Sequence, residues 1–108
     1  MKKHVITGVA AMALVGLSLR ASDVSALYEK ECTKCHGADG KGDTRMGRRL
    51  GAKDYSDPKV QEALKDDAAF KAVKEGLKKD NRTLMQPLKD ATDDQIKTLI
   101  AHMRTFKK

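Results

Sequence analysis

Residues 27–42 read LYEKECTKCHGADGKG. At the centre of this stretch, Cys32 and Cys35 stand three positions apart and His36 follows directly, which is the pattern C-x-x-C-H. These two cysteines are the only ones in the 108-residue chain. Two thiols at this spacing can reach the two vinyl groups of one haem, and the adjacent imidazole then faces the iron. The motif therefore predicts a covalently attached c-type haem with His36 as one axial ligand.

Three other uses of the cysteines are open. A redox-active C-x-x-C pair usually sits in a thioredoxin-like βαβ unit, and no strand pattern lies near it. A structural zinc site needs four ligands, which after loss of the first 21 residues would require both cysteines, His36 and His102 together. A disulfide between residues this close closes a very small loop and contributes little stability. Haem attachment explains the motif better than any of these.

The N-terminal segment has the pattern of a secretory signal peptide. Two lysines precede a charge-free apolar run of 15 residues, Val5–Leu19, and small residues follow it. The run is shorter than the roughly 20 residues that a membrane-spanning helix needs. We expect cleavage after Ala21, which makes residues 1–21 a signal peptide and residues 22–108 the mature domain. An uncleaved membrane anchor is the alternative, because the residues before the cut fit the cleavage pattern poorly.

The composition favours one small helical domain. Two Tyr, two Phe, no Trp and no alternating β-branched runs argue against a β-sandwich or barrel. Cleavage would remove three basic residues and so lower the formal net charge from +7 to +4. A chain of this size buries only about 60% of its unfolded surface, so its core is thin. Nucleic-acid binding has no support, because the chain has no known binding motif and no aromatic residues interleaved with its basic ones.

Apolar spacing predicts the first helix. Val24, Leu27, Tyr28 and Cys35 fall near one face, which would deliver the cysteines to the core side of this helix. Glu31 falls on the same apolar stripe. A charged residue is acceptable on a core-facing stripe only if the helix is already ending there. The glycines that follow His36 allow a tight loop against a large flat ligand.

Three later stretches are also predicted to be helical, so every predicted element is a helix. Asp57 and Pro58 are a suitable N-cap and first residue for a helix that holds Val60 and Leu64. A further stretch is indicated by Phe70, Val73 and Leu77, with a break near Asp66 and Asp67. The last helix has a capping box, Thr92 with Gln95, followed by the apolar stripe Ile96, Leu99, Ile100, Met103 and Phe106.

The chain resembles the small class I cytochromes c. The likeness rests on residues 27–42, on Met85-Gln86-Pro87-Leu88 with an acidic turn after it, and on a final helix that ends in Met103-Arg104-Thr105-Phe106. The resemblance implies an all-α cytochrome c fold in which the first and last helices cross and pack, with shorter helices around one haem. It also implies one haem c, attached covalently through Cys32 and Cys35, in a carrier that moves single electrons and is not an enzyme.

The second axial ligand decides the function of such a haem. A methionine there favours electron transfer, whereas an open position allows small molecules to bind. Met46, Met85, Met103 and His102 are the candidates in the mature chain, and chain length alone cannot exclude Met46. Met103 lies on an apolar helix stripe and is expected to fill the core, and His102 is expected to be a partly exposed surface residue.

Met85 is preferred as this ligand because it lies in a predicted loop between helices, with Pro87 restraining the chain after it. The resemblance implies the same choice, with His36 and Met85 as the iron pair. One departure concerns the proline that members of this family often have after the haem motif, whose carbonyl holds the proximal histidine. Residues 48–51 read RRLG instead, so the acceptor for the His36 ring is unassigned.

Basic residues cluster near the predicted haem. Six follow or flank the motif and four flank Met85: Lys34, Lys41, Arg45, Arg48, Arg49, Lys53, Lys78, Lys79, Arg82 and Lys89. They predict a positive collar that steers a redox partner with an acidic docking surface, although solvated helix faces would look the same. We expect a periplasmic monomer that contacts membranes only through its partners, or through an uncleaved signal anchor. The alternatives are a subunit through which electrons enter a larger oxidoreductase and a ligand-binding haem sensor.

Overall fold

The computed structural model describes Gly8 and residues 21–108. Within this part the chain forms six helices and one two-stranded hairpin, in this order: α1 Ala21–Glu31, α2 Thr33–His36, α3 Arg45–Leu50, α4 Pro58–Ala63, α5 Asp66–Glu75, β1 Leu77–Lys79, β2 Arg82–Met85 and α6 Asp93–Arg104. The predicted signal peptide lies outside the described residues except for Gly8 and Ala21. None of the helices described is long and apolar enough to cross a bilayer.

The first and last helices pack against each other. Val24 and Tyr28 of α1 and Leu99 of α6 are buried together, with Met103 and Phe106 packed beside them. Helix α1 ends at Glu31, which is exposed, so no charged residue enters this contact. The packing of the terminal helices that the resemblance implied is present.

Helix α6 begins as the sequence predicts. The Thr92 hydroxyl accepts a hydrogen bond from the Gln95 amide, and the Gln95 side chain accepts one from the Thr92 amide. This capping box satisfies two backbone N–H groups that the first helical turn leaves free. The predicted apolar stripe of α6 contacts two helices. Leu99 packs against α1, and Ile96 and Ile100 pack against Ala69 and Val73 of α5.

The middle helices depart from their predicted bounds. Asp57 caps α4 through the Lys59 amide at 2.9 Å, as expected. The predicted break near Asp66 and Asp67 lies earlier, at residues 64–65, and the two acids begin α5, where they suit the positive end of the helix dipole. The assignment of Leu77 to the helical repeat is wrong, because α5 stops before Gly76 and Leu77 is 47% exposed in β1.

The expectation that every element is a helix is wrong at one place. Strands β1 and β2 pair as an antiparallel hairpin in which Leu77 is opposite Met85 and Lys79 is opposite Arg82. Asp80 and Asn81 form the turn with φ of 52° and 63°. Two consecutive positive φ values match the right-handed twist of paired strands, and Asp and Asn tolerate them better than most residues. The hairpin has seven residues in strands, so the fold is still essentially helical.

Arg104, at the end of α6, joins that helix to α4 and α5. Its guanidinium donates to the backbone oxygens of Gln61 and Leu64, at the end of α4, and to the carboxylate of Asp66. Its main role is to satisfy carbonyl groups that the last turn of α4 leaves free.

Replacing Gly40 with Ala should destabilise the protein more than the same change at Gly51. Both glycines have positive φ, 72° and 76°, so both variants meet the backbone cost of about 1–2 kcal/mol. A Cβ at Gly40 would also lie 2.4 Å from the Phe106 ring, whereas one at Gly51 meets nothing within 4 Å. We expect Gly40→Ala to lower the free energy of unfolding by about 1–3 kcal/mol more than Gly51→Ala, since crowding in a packed contact adds to the cost. Urea denaturation measures both, and equal losses would contradict the contact.

Candidate haem site

The short helix α2 carries the C-x-x-C-H motif. Cys32 precedes the helix, and the His36 amide donates to the Cys32 oxygen at 2.9 Å, which closes the turn. Both thiols are half-buried and neither forms a disulfide. Burial raises the pKa of Cys32 to about 11, with smaller contributions from Glu31 and Cys35. Reactive redox cysteines have lowered pKa values, so this environment does not suit a thioredoxin-like pair.

His36 ends this helix, and its side chain is half-buried. Burial lowers the pKa of its imidazole, so the uncharged form, which binds metals, is favoured. Its Nδ1 atom is buried and has no hydrogen-bond partner among the described residues. The sequence left this acceptor unassigned, and the part of the chain described here supplies none. A half-buried imidazole next to two free thiols fits the donor set of a covalently attached haem.

Two hydroxyl groups hold the motif in place. The Tyr28 hydroxyl donates a buried hydrogen bond of 2.6 Å to the oxygen of Gly37, directly after His36. The Thr44 hydroxyl lies 2.9 Å from the Cys35 oxygen and accepts from the Gly47 amide, so it links the end of α2 to the start of α3. Sequence analysis missed Thr44. A Thr just before a helix is a recognisable N-cap, but its second bond depends on the fold.

The Tyr55 ring lies against the His36 ring, and a cleft borders Tyr55. The Tyr55 ring is tilted 46° to the His36 ring, with their centroids 5.6 Å apart. Tyr55 also borders a cleft of about 290 Å³. The residues that line it are mainly apolar, with two lysines: Lys53, Tyr55, Lys59, Val60, Ala63 and Leu64.

The model of the cytochrome c family matches residues 21–107. The chain belongs to the cytochrome c family. Membership establishes an electron-transfer protein with covalently bound haem c and the predominantly helical cytochrome fold, and the chain has its two cysteines at the C-x-x-C positions 32 and 35.

Two solved structures resemble this cytochrome along most of its length. The KustC0563 c-type cytochrome is 33% identical, with a TM-score of 0.68, and the match covers 78% of this chain and 96% of that one. A Tyr-to-Phe variant of KustC0563 is 31% identical, with a TM-score of 0.67, over 79% and 99% of the two chains. No functionally curated protein matches the chain.

The candidate sixth ligands of the cytochrome lie in three different places. Met85 is half-buried against the α5–α6 cluster that contains Val73 and Ile100. It is the last residue of β2, so its placement in a loop is corrected, although the segment after it is irregular. Met46 is half-buried on α3. Met103 packs in the α1–α6 contact, as expected for a core residue.

His102 is also part of the contact between the terminal helices. Its ring lies 5.1 Å from the Tyr28 ring and 5.3 Å from the Phe106 ring, measured between centroids. It is partly exposed, as predicted, but it takes part in an aromatic cluster and is not simply a surface residue. The described residues contain no group of three or more His, Cys, Asp or Glu side chains arranged to share a metal ion, as the zinc alternative would need.

Replacing Tyr28 with Phe should keep the ring contacts and remove the hydrogen bond to Gly37. The carbonyl would keep only the longer bond from the Gly40 amide, at 3.2 Å, so we expect the free energy of unfolding to fall by about 0.5–1.5 kcal/mol near neutral pH. Burial raises the pKa of Tyr28 above the ordinary value of about 10. Stability from such a raised pKa is complete below pH 10 and is lost as the pH rises further, because the unfolded state then ionises first.

The difference in stability between wild type and Tyr28→Phe should therefore be constant at neutral pH and shrink above pH 10. Denaturation curves of the two proteins at several pH values measure it. A difference that grows with pH would contradict the assignment of a neutral, buried hydroxyl.

Proposed function

We propose that the protein is an exported, periplasmic single-electron carrier whose iron is held by His36 and Met85. The observation that carries the proposal is the half-buried imidazole of His36, whose pKa is lowered by burial, beside two half-buried thiols on one helical turn. The apolar N-terminal run supports export, with cleavage after Ala21. A carrier in place of an enzyme agrees with the usual role of cytochrome c family members.

Cys32 and Cys35 would attach the haem. They are three positions apart at the start of a helical turn, which places neighbouring side chains on one face. When bound, the haem supplies an iron that changes oxidation state by one electron. Burial raises the pKa of the Cys32 thiol, which favours its protonated form. The chain's own contribution is to fix the position of both sulfurs and of His36 relative to one another.

The cleft beside Tyr55 would accommodate part of the macrocycle. Val60 and Leu64 offer apolar contact to a flat ring, and burial of such a ring would exclude water from the site. Lys53 and Lys59 border the same cleft, and their positive charges suit the carboxylates that a haem carries. The lining of the cleft therefore offers apolar side chains for the ring of a haem and positive charges for its carboxylates.

Met85 would supply the thioether. The backbone near it is restrained, because Pro87 limits the chain and the Leu88 amide donates to the Val73 oxygen at 2.9 Å. A restrained methionine would stay in place in both oxidation states of a bound iron, which would keep the reorganisation on electron transfer small. A thioether ligand also raises the potential of the iron.

Replacing Met85 with Ala should lower the midpoint potential and let the reduced iron bind carbon monoxide. We also expect loss of the weak long-wavelength band that a methionine sulfur gives to ferric haem. Met46→Ala is the matched control and should change neither property. Redox titration and visible spectra of the two variants measure this. The reverse result would assign the ligand to Met46, and carbon monoxide binding by the wild type would favour a haem sensor.

A positive surface would receive the electron-transfer partner. All ten basic residues of the predicted collar are exposed, and one of them, Arg48, forms an ion pair with Asp43. The hairpin contributes Lys78, Lys79 and Arg82 next to Leu77, which is 47% exposed. An apolar residue within a basic patch suits a partner whose docking surface is acidic at its rim. We place the docking surface at this hairpin.

Reversing two hairpin charges should slow electron transfer to a small acidic redox protein at low salt. We expect Lys78→Glu/Lys79→Glu to reduce the bimolecular rate at least about tenfold, since steering changes on-rates by that order or more. Lys97→Glu/Lys107→Glu has the same net charge and should reduce the rate less. The difference should vanish near 1 M salt, where the Debye length falls to about 3 Å. Equal effects of the two pairs in stopped-flow measurements would place docking elsewhere.

A further inference from the structure

Gln61 is a buried polar residue that the proposed function does not use. It lies on α4 and is only 5% exposed, although glutamine is usually found at the surface. Its Nε2 atom donates to the Tyr55 oxygen at 2.6 Å and to the Met103 oxygen at 3.0 Å. Its Oε1 atom accepts from Arg104 at 2.9 Å. One orientation of the amide satisfies all three contacts, and the flipped one would satisfy none.

These contacts fix Tyr55 from both sides. The Tyr55 amide donates to the Gly40 oxygen at 2.8 Å, in the loop that follows the haem motif. The Tyr55 oxygen accepts from Gln61, which is in turn held by the end of α6. With both backbone groups bonded, the Tyr55 backbone and the direction of its Cα–Cβ bond are restrained. That side chain lies against the His36 ring.

The His36 ring needs such a support. A histidine that ligates a metal is normally oriented by a hydrogen bond to its second nitrogen. Here Nδ1 has no partner in the described part of the chain, so no hydrogen bond sets the plane of the ring. Packing against Tyr55 is the contact that can restrict rotation of the imidazole about its bond to the chain.

We infer that Gln61 is a positioning residue for the iron ligand, acting through Tyr55 on the ring plane of His36. The inference rests on the proposed role of His36 as an axial ligand. It links the C-terminal helix to the iron, because the same amide binds the backbone of Met103 and the side chain of Arg104. A change in this network alters the orientation of the imidazole without removing any ligand.

The orientation of an axial imidazole determines how the unpaired electron of ferric haem is distributed, and hence the NMR shifts of the haem methyl groups. We therefore compare the oxidised haem-bound wild type with Gln61→Met, which has a similar shape but no amide. The order or spacing of the methyl resonances should change, while the spectrum stays low-spin with both ligands bound. Gln61→Glu is the second variant, because its carboxylate still accepts from Arg104 but cannot donate to Tyr55.

Val24→Ala is the control for general loss of stability. Val24 is buried between α1 and α6 and has no part in the network. The haem methyl resonances of Val24→Ala should keep the wild-type order and spacing. The inference is overturned if both Gln61 variants match wild type, or if Val24→Ala changes the pattern as much as they do. If Gln61→Met does not fold, the haem methyl pattern of Gln61→Glu, compared with wild type, tests the inference by the same criterion.

Failure of the ligand assignment would look different. If His36 or Met85 does not bind the iron, the wild-type protein itself lacks the low-spin spectrum of a His/Met haem. If only the role of Gln61 is wrong, the wild type has that spectrum and the Gln61 variants reproduce its methyl pattern. The two outcomes are read from different samples.

Discussion

The Tyr28 side chain joins the helical framework to the haem motif. Its ring lies in the contact between α1 and α6, where it meets His102 and Phe106, and its hydroxyl donates to the oxygen of Gly37. One residue therefore fixes both the packing of the terminal helices and the backbone directly after His36. Because the hydroxyl is buried and neutral, the bond has no competition from water. The position of α2 relative to the core depends on this contact.

The polypeptide alone has a small core. Among the described residues, the fully or nearly buried apolar side chains fall into two clusters, one between α1 and α6 and one between α5 and α6, and Ile96 and Leu99 are the large ones that are completely buried. Domains of this size usually need a staple, a metal or a cofactor in addition to apolar packing. A covalently bound haem meets that need, since it adds a large apolar surface that cannot dissociate. The small apolar core and the C-x-x-C-H motif thus have a common explanation.

Local signals predicted much of this structure. The Asp57 cap, the capping box of α6, the apolar stripe of α6 and the C-x-x-C-H motif each depend on residues within a few positions of one another. The hairpin was missed because its strands are three and four residues long and mostly exposed, so they show no alternating burial. Gln61 and Arg104 were missed because their partners lie 42 and 43 residues apart in sequence. No local pattern encodes such pairs, and only the packing of α4 against α6 brings them together.

The groups near the haem motif share one electrostatic property. Burial favours the neutral form of His36, Cys32 and Tyr55, and the described residues bury no carboxylate. Ferric haem carries one more positive charge than ferrous haem, and the described residues supply no buried carboxylate to stabilise it. The exposed lysines and arginines of the collar add charge of the same sign. A charged group is least favourable where water is excluded, so an iron bound in this environment would favour its reduced state and have a raised potential. A thioether ligand acts in the same direction, so the surroundings and the proposed Met85 bond both suit a carrier that accepts electrons readily.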